Sequence, residues 1–394
     1  MLEREAYMWL GHMTTFRQGD MDKLFLLFES ASEIYKNLYE DADVLERLVE
    51  KGVLKAETAK EIKNCDTLLW DRDLKERLRI TDIKAVTPAD DTYPSRLRDI
   101  PDKPLCLYYR GDISIAETEH IVAIIGSRRV SSYGMKATDQ FSRGLSNKGI
   151  TIVSGMAYGV DGKAHRSCIE EKGKTIAVLG GGVDICYPRT NLDIYLEMCE
   201  NQLVLSEYEP GEAHKNLHFP ARNRIISGLA DGVLVTEAAL KSGTMITVDR
   251  ALEQGRTVYA VPGRMTDLMS KGTNNLIKQG AILVDSTEDI IRDMIGIEES
   301  RTKQTRRNGE RQVKRADGTN IMNEVNLANG SLRNPALNEI EKSIIGMLGY
   351  EPVFIDDLIR SNGMNIGETL GVLRHLEGMG LIVSVENSYY VLKK

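Results

Sequence analysis

Seven short apolar runs constrain the fold of this chain more than any other feature. Each has four to six residues and is rich in Val and Ile, and amphipathic segments separate them. The runs are Ile121–Ile125, Thr151–Ser154, Thr175–Leu179, Leu203–Ser206, Gly232–Val235, Thr257–Val261 and Ala281–Val284. Parallel strands that are buried on both faces have this pattern. It predicts an α/β domain built on a doubly wound, mostly parallel sheet.

Other patterns flank this sheet. Residues 1–85 contain few turn residues and show helical periods, which predict a small helical domain. Prolines break the helical pattern between 93 and 111 and predict an extended arm that leads into the sheet, so we assign 86–295 to the α/β domain. The stretch 296–335 is polar, with seven Lys or Arg between 301 and 315, and predicts a basic linker.

The last segment, 336–394, resumes regular patterns. Helical periods occur at Ile340–Leu348, Phe354–Ile359 and Thr369–Leu376, and strand patterns at Leu381–Val385 and Tyr389–Leu392. Three helices followed by a hairpin predict a winged-helix domain.

Composition excludes several classes of protein. The 394 residues are 42% hydrophobic and 28% charged, as in globular domains, and neither a membrane span nor a signal peptide is evident. We therefore expect a cytoplasmic protein that does not contact a membrane. Five scattered cysteines without a CxxC pair argue against disulfides and against a metal site. A net charge of −7 requires any nucleic-acid site to be local.

Ligands of such sheets bind beyond the carboxyl ends of the strands, where this chain carries glycine and arginine. The first run is followed by Gly126-Ser127-Arg128, a combination that suits a phosphate. The loops after the next two runs add Gly155, Gly181 and Gly182, and Arg189 lies further along. A nicotinamide dinucleotide is disfavoured because GxGxxG is absent, so no cofactor is expected.

Asp161 and His165 lie four residues apart and share a face if they are helical. They could form an acid–base pair. Alternatively, Asp161 caps the helix and His165 bonds a neighbouring segment, which we favour because no nucleophile stands beside them.

The segment from Phe219 to Arg224 combines an aromatic ring with Arg222, Asn223 and Arg224. Arginines can hold phosphates while an aromatic ring stacks on a base. Two other interpretations stay open: Phe219 could be a core residue, and Arg222 could pair with a carboxylate such as Glu237.

These motifs together resemble the DNA-processing protein A family, also called DprA or Smf. The resemblance spans the α/β domain and rests on an ordered set of motifs: Gly126-Ser127-Arg128, Ser154-Gly155-Met156-Ala157, Gly180-Gly181-Gly182-Val183-Asp184, Tyr187-Pro188, Ser206-Glu207, Phe219 to Arg224, Thr236-Glu237-Ala238, Ser242-Gly243-Thr244, Val261-Pro262-Gly263 and Gly272-Thr273-Asn274. The chain departs from the family at Tyr158, where an arginine is frequent.

The resemblance implies an extended Rossmann-like domain that binds single-stranded DNA, dimerises and hands the strand to the RecA recombinase in natural transformation, without catalysis. It also implies a SAM-like or helix-hairpin-helix-like N-terminal domain. The DNA-binding residues that it implies are Gly126, Ser127, Arg128, Gly155, Gly181, Gly182, Arg189, Phe219, Arg222, Asn223, Arg224, Ser242 and Gly243.

Two alternatives remain. A similar sheet carries nucleoside-monophosphate phosphoribohydrolases, but their Pro-Gly-Gly-x-Gly-Thr-x-x-Glu loop is absent, and the nearest candidates lie on different loops. Alternatively, the winged helix alone could read DNA, although its expected recognition helix, Ile366 to Met379, offers only Arg374 and His375 as basic groups.

Overall fold

The computed structural model describes residues 1–16, 19–294 and, beyond these, short pieces between positions 344 and 392. The chain divides into two compact units, Met1–Val313 and Lys314–Lys394. Because the first unit holds both the N-terminal helices and the sheet, the boundary near residue 85 stays a prediction.

The N-terminal region is helical, as the sequence predicts. Its helices are α1 (Glu3–His12), α2 (Asp20–Leu27), α3 (Ala31–Tyr35), α4 (Ala42–Glu50), α5 (Ala56–Asn64) and α6 (Thr67–Thr81). They pack around a hydrophobic core that includes Trp9, Leu24, Ile34 and Leu45 and that is shared with Tyr108 and Val183 of the α/β region. Asp41 and Asp66 cap α4 and α6 by accepting hydrogen bonds from backbone N–H groups of the first turn.

The α/β region contains a nine-stranded sheet with the order β1-β2-β6-β5-β4-β3-β7-β8-β9. The strands are β1 (Lys84–Val86), β2 (Leu107–Gly111), β3 (Ile121–Gly126), β4 (Thr151–Ser154), β5 (Thr175–Val178), β6 (Leu203–Ser206), β7 (Gly232–Glu237), β8 (Thr257–Ala260) and β9 (Ile282–Leu283). From β6 to β9 all neighbours are parallel. This arrangement confirms the doubly wound, mostly parallel sheet.

Helices cover both faces of the sheet. They are α7 (Ser132–Asn147), α8 (Val160–Glu170), α9 (Leu192–Asn201), α10 (His218–Leu229), α11 (Gly243–Glu253) and α12 (Lys271–Lys278). Alternate residues of β3 enter two different cores, Ala123 on one face and Val122 on the other. Continuous apolar runs are explained by this double burial.

Two strands that the sequence pattern did not reveal extend the sheet: β1, which precedes the arm, and β2, which lies in it. β2 pairs antiparallel with β6, and β1 pairs antiparallel with β2. Leu107 and Tyr108 of β2 are buried. The prolines at 94, 101 and 104 precede β2 and leave its hydrogen-bonding groups intact.

In the second unit the structure describes three strands, β10 (Val353–Phe354), β11 (Ile382–Val385) and β12 (Tyr389–Leu392), in the order β10-β12-β11. The hairpin of β11 and β12 is as predicted. The helix predicted from Phe354 is wrong at its start, because Phe354 pairs with Tyr389 as part of β10. Most of the predicted helices and the whole linker lie outside the described residues. In the part of the chain that is described, no helix has both the length and the apolarity to span a membrane.

Candidate functional site

The strand order reverses direction between β3 and β7, which is where doubly wound sheets bind ligands. A cavity of about 750 Å³ opens there, and we call it the carboxyl-edge cavity. Its walls come from the loops after β3, β4 and β7 and from α10. Its lining includes Gly126, Ser127, Arg128, Arg129, Asp161, Asn216, Phe219, Arg222, Asn223, Ser242, Gly243 and Thr244.

The loop after β3 is tied to the end of β7. The backbone N–H of Ser127 donates to the carbonyl of Glu237 at 2.8 Å. The buried Glu237 carboxylate in turn accepts the N–H of Ser131 at 2.7 Å and also the Ser131 hydroxyl. These bonds fix the backbone on both sides of Arg128.

Arg128 is exposed on this fixed loop, with its guanidinium carbon 4.9 Å from the centre of the Phe219 ring. Within the described residues no carboxylate forms an ion pair with Arg128 or with its exposed neighbour Arg129. Their positive charges are therefore available to an anionic ligand, and the ring beneath Arg128 restrains its position.

Arg222 also lines the cavity, but its side chain is buried, with 3% of the residue exposed. Its Nη1 donates to the carbonyl oxygens of Gly155, at 2.8 Å, and Val178. A Cβ on Gly155 would lie 2.6 Å from Arg222 Nη2, so glycine is needed at this close approach. Arg222 therefore does not pair with Glu237. Its guanidinium links the carboxyl ends of β4 and β5 by hydrogen bonds and also places a positive charge at the cavity wall.

A buried carboxylate accompanies Arg222. Asp161, in the first turn of α8, accepts the N–H of Gly155 at 3.2 Å and of Ala157 at 3.4 Å. Burial raises the pKa of Asp161, and Arg222 opposes that rise. Burial lowers the pKa of Arg222 to about 10, which leaves the arginine charged at neutral pH.

His165 bonds a strand rather than Asp161. The Thr175 hydroxyl donates to the carbonyl of Ile152 at 2.9 Å and therefore accepts from His165 Nδ1 at 2.7 Å. Burial, together with the nearby charge of Arg222, lowers the pKa of His165 to about 3. The neutral histidine packs inside the protein, so the structure favours the non-catalytic interpretation of this pair. The expected helix cap is wrong, however, because the Asp161 carboxylate accepts from Gly155 and Ala157, which precede α8.

Phe219 is half-buried and belongs to a group of aromatic rings rather than to the core. Its centroid lies 5.7 Å from that of Tyr187, and Tyr187 stacks on His214 at 3.9 Å. A Cβ on Gly180 would come within 3.0 Å of the Phe219 ring, and one on Gly181 within 2.9 Å of the His214 backbone. The triple glycine thus allows the segment between β6 and α10 to pack closely.

The amino terminus of α11 faces the same cavity. Ser242 and Gly243 line it, and the buried Ser242 hydroxyl has no hydrogen-bond partner among the described residues. Unpaired N–H groups and the helix dipole favour a negative charge at this place.

Five predicted residues are not part of the lining of this cavity. Gly155 packs against the Arg222 guanidinium and Gly181 against the His214 backbone. Gly182 packs beneath the loop that carries Glu209 and Gly211, and Arg189 is exposed outside the cavity. Arg224 points to the opposite side of α10, into a second cavity of about 720 Å³ that we call the helical-side cavity. There its guanidinium donates to both carboxylate oxygens of Glu207, at 2.8 and 2.6 Å. The structure therefore does not bring Gly155, Gly181, Gly182, Arg189 or Arg224 into the lining of the carboxyl-edge cavity.

Sequence reasoning missed other residues of this region. Arg129 and Asn216 line the cavity, and His214 belongs to the aromatic group. Arg129 directly follows Arg128 in the sequence, and that adjacency was a sufficient reason to include it among the candidate residues. His214 and Asn216 precede α10 in a segment without a motif, and only the fold places them beside the glycine loops.

The fold and the site define an open, doubly wound α/β protein with a cationic, aromatic-bordered cavity at its topological switch point. Family models match residues 84–295, as DNA recombination-mediator protein A, and residues 332–387, as the DprA winged helix domain. The chain belongs to the DNA recombination-mediator protein A family, which confirms the resemblance seen in the sequence. The second match also confirms the winged-helix domain.

Individual relatives agree with this assignment. The chain is 46% identical to the DNA processing protein DprA of Streptococcus pneumoniae over 202 residues, which are 51% of this chain and 71% of the relative. An X-ray structure of the S. pneumoniae protein matches with a TM-score of 0.63 and 35% identity, over 74% of this chain and 98% of that one. The single-stranded-DNA-binding DNA processing protein A from Helicobacter pylori matches with a TM-score of 0.50 and 32% identity, over 54% and 96%.

Proposed function

We propose that the chain binds single-stranded DNA in the carboxyl-edge cavity. The observation that carries the proposal is the exposed guanidinium of Arg128 beside the Phe219 ring, on a loop that Glu237 holds in place. One side chain can contact a phosphate while its neighbour stacks on a base, and neither contact depends strongly on sequence. The similar H. pylori protein, which binds single-stranded DNA, supports the same ligand here.

The experiment is a salt series of oligothymidine binding to wild type and Arg128→Ala. Removing one phosphate contact should weaken binding and reduce the slope of log K against log salt by about 0.7. Arg79→Ala is the matched control, because Arg79 is an exposed arginine on α6 that pairs only locally with Glu76. An unchanged slope in Arg128→Ala would contradict the phosphate contact.

In the cell, we propose, the protein protects incoming single strands and loads RecA onto them in natural transformation, without catalysing a reaction. Membership of a family of recombination mediators supports this role. Nuclease protection and RecA filament assembly on the protein-bound strand are the assays. Arg128→Ala should lose both activities in proportion to its loss of binding, and unchanged activities would contradict the role of the cavity.

A homodimer formed by the α/β domain is part of the proposal. β9 is an edge strand that pairs only with β8 among the described residues, and its Ile282 and Leu283 are 36% and 48% exposed. Exposed apolar side chains on an open edge suit a second copy. Leu276 of α12, another apolar residue near this edge in the sequence, is buried in the hydrophobic core and is not available for such a contact. Sedimentation should show a dimer that Leu283→Asp dissociates, and a monomeric wild type would contradict it.

The phosphoribohydrolase alternative gains no support from its best candidate. The Glu237 carboxylate is buried, bonds Ser131 and does not line the cavity. We therefore expect no release of free base from a nucleoside monophosphate, and release that is lost in Glu237→Gln would overturn this expectation. We also propose a cytoplasmic location for the protein, in keeping with the proposed loading of RecA.

A further inference from the structure

Tyr158 is an exposed aromatic side chain on a rigid loop. The loop joins β4 to α8, and 44% of Tyr158 is accessible to solvent. Asp161 holds the loop through Gly155 and Ala157, and the Asn191 side-chain amide donates to the carbonyl of Met156 at 3.0 Å. The loop is therefore ordered without help from the Tyr158 ring.

The residue after Tyr158 fixes the position of this loop against the Arg128 loop. Gly159 has a φ of +75°, and a Cβ there would lie 2.3 Å from the carbonyl oxygen of Ser127. The N–H of Val160 donates to the same oxygen at 3.2 Å. Tyr158 thus has a set position relative to the residues that present Arg128.

A row of rings connects Tyr158 to the carboxyl-edge cavity. The centroids of Tyr158 and Tyr187 are 6.3 Å apart with the planes at 78°, and Tyr187 is 5.7 Å from Phe219. His214 stacks on Tyr187 and restrains that ring. The packing against Tyr187 restrains Tyr158 but leaves almost half of it open, so its ring offers a preorganised apolar surface next to the Phe219 position.

We propose that Tyr158 forms a second base-stacking position, which takes a nucleobase of the same strand beyond the base that Phe219 holds. The inference rests on the proposed function and extends it. An exposed ring on a rigid loop loses little conformational entropy on binding, and stacking accepts every base.

The test measures binding of oligothymidines of increasing length to wild type, Tyr158→Ala, Tyr158→Phe and Phe219→Ala. Tyr158→Ala should lose about tenfold in affinity for long oligonucleotides, with an unchanged salt slope, since stacking releases no counterions. Its defect should disappear for oligonucleotides too short to extend past Phe219. Tyr158→Phe should bind within about twofold of wild type, because the ring remains.

Two further measurements guard against a merely structural effect. Tyr158→Arg should bind with a salt slope steeper by about 0.7, since it introduces a cationic group that can contact a phosphate at the same place. A 5-iodouracil oligonucleotide should crosslink to Tyr158 in wild type, as mapped by mass spectrometry.

The outcomes separate this inference from the proposed function. If Tyr158→Ala matches wild type at every length while Phe219→Ala is weakened, the second stacking position is wrong and the cavity assignment stands. If wild type itself fails to bind oligothymidine, both are wrong. If Tyr158→Ala unfolds, the Tyr158→Phe, Tyr158→Arg and crosslinking results decide, and a Tyr158→Phe variant as weak as Phe219→Ala overturns the stacking role.

Discussion

The two cavities on either side of α10 are nearly equal in size, about 750 and 720 Å³, but they use their charges differently. Among the described residues, three arginines and one carboxylate, Asp161, line the carboxyl-edge cavity. In the same part of the chain, four carboxylates and four Lys or Arg residues line the helical-side cavity. In the first, Arg128 and Arg129 are unpaired within the described chain. In the second, Arg77 pairs with Glu209, Lys215 with Glu212 and Arg224 with Glu207.

The contrast shows that the number of basic residues does not identify an anion site. Arg222 and Arg224 are two residues apart in one motif, and both are buried. A step of two residues turns about 200° around a helix, so their side chains leave α10 on nearly opposite sides. Arg224 is neutralised by Glu207, whereas Arg222 retains a charge at the cavity wall. Burial, partners and helical phase decide which guanidinium can meet a phosphate.

We expect the largest effect from a substitution that breaks the ion pair between Arg224 and Glu207 in the helical-side cavity. Arg224→Ala leaves the Glu207 carboxylate without its bidentate partner, and breaking a buried pair costs about 3–5 kcal/mol. Urea unfolding should show this loss of unfolding free energy, while the folded fraction binds oligothymidine as wild type does. A stable variant with weakened DNA binding and a flatter salt slope would show that Arg224 contacts phosphate after all.

The pH dependence of the unfolding free energy tests whether His165, buried behind the carboxyl-edge cavity, is neutral in the folded protein. The pKa of His165 is lowered to about 3 in the folded protein, so the unfolded chain binds the additional proton as the pH falls below about 6.5. Its contribution to stability is intact above that pH and is lost at roughly 1.4 kcal/mol per pH unit between about pH 6 and 4. Urea midpoints across this range should fall less steeply in His165→Gln. Parallel slopes in the two proteins would contradict a neutral, buried His165.

Phe219→Ala should have a smaller effect, confined to the carboxyl-edge cavity. Loss of stacking should weaken oligothymidine binding by about 1–3 kcal/mol without changing the salt slope. Leu217→Ala is the control, because Leu217 is 82% exposed beside α10 and lines the other cavity. A reduced slope in Phe219→Ala would mean that the ring acts by positioning the Arg128 charge rather than by stacking.

The sequence predicts the sheet better than it predicts the site, for a physical reason. All seven apolar runs from Ile121 to Val284 correspond to strands, and burial on both faces leaves this local trace in all of them except the exposed edge strand β9. The partners of a side chain depend on elements that are distant in the chain. Asp102 and Arg224 are 122 positions apart in the sequence, yet the fold brings them into contact. No local pattern could show that the Arg224 guanidinium forms ion pairs with Glu207 and Asp102. Nor could a local pattern show that β2, in the proline-rich arm, pairs with β6 and extends the sheet.

The smallest expected effect tests whether the helical-side cavity takes any part in DNA binding. Lys215 lies between β6 and α10, in the same segment as His214 and Asn216, but it lines the other cavity and pairs with Glu212 at 3.1 Å. An exposed pair of this kind contributes about 0–1 kcal/mol, so Lys215→Ala should change the unfolding free energy and the oligothymidine affinity only slightly. Its salt slope should equal that of wild type, in contrast to Arg128→Ala. If instead the slope falls by about 0.7, Lys215 exchanges Glu212 for a phosphate in the complex. The DNA strand would then cross this segment, and the assignment of DNA binding to the carboxyl-edge cavity alone would be wrong.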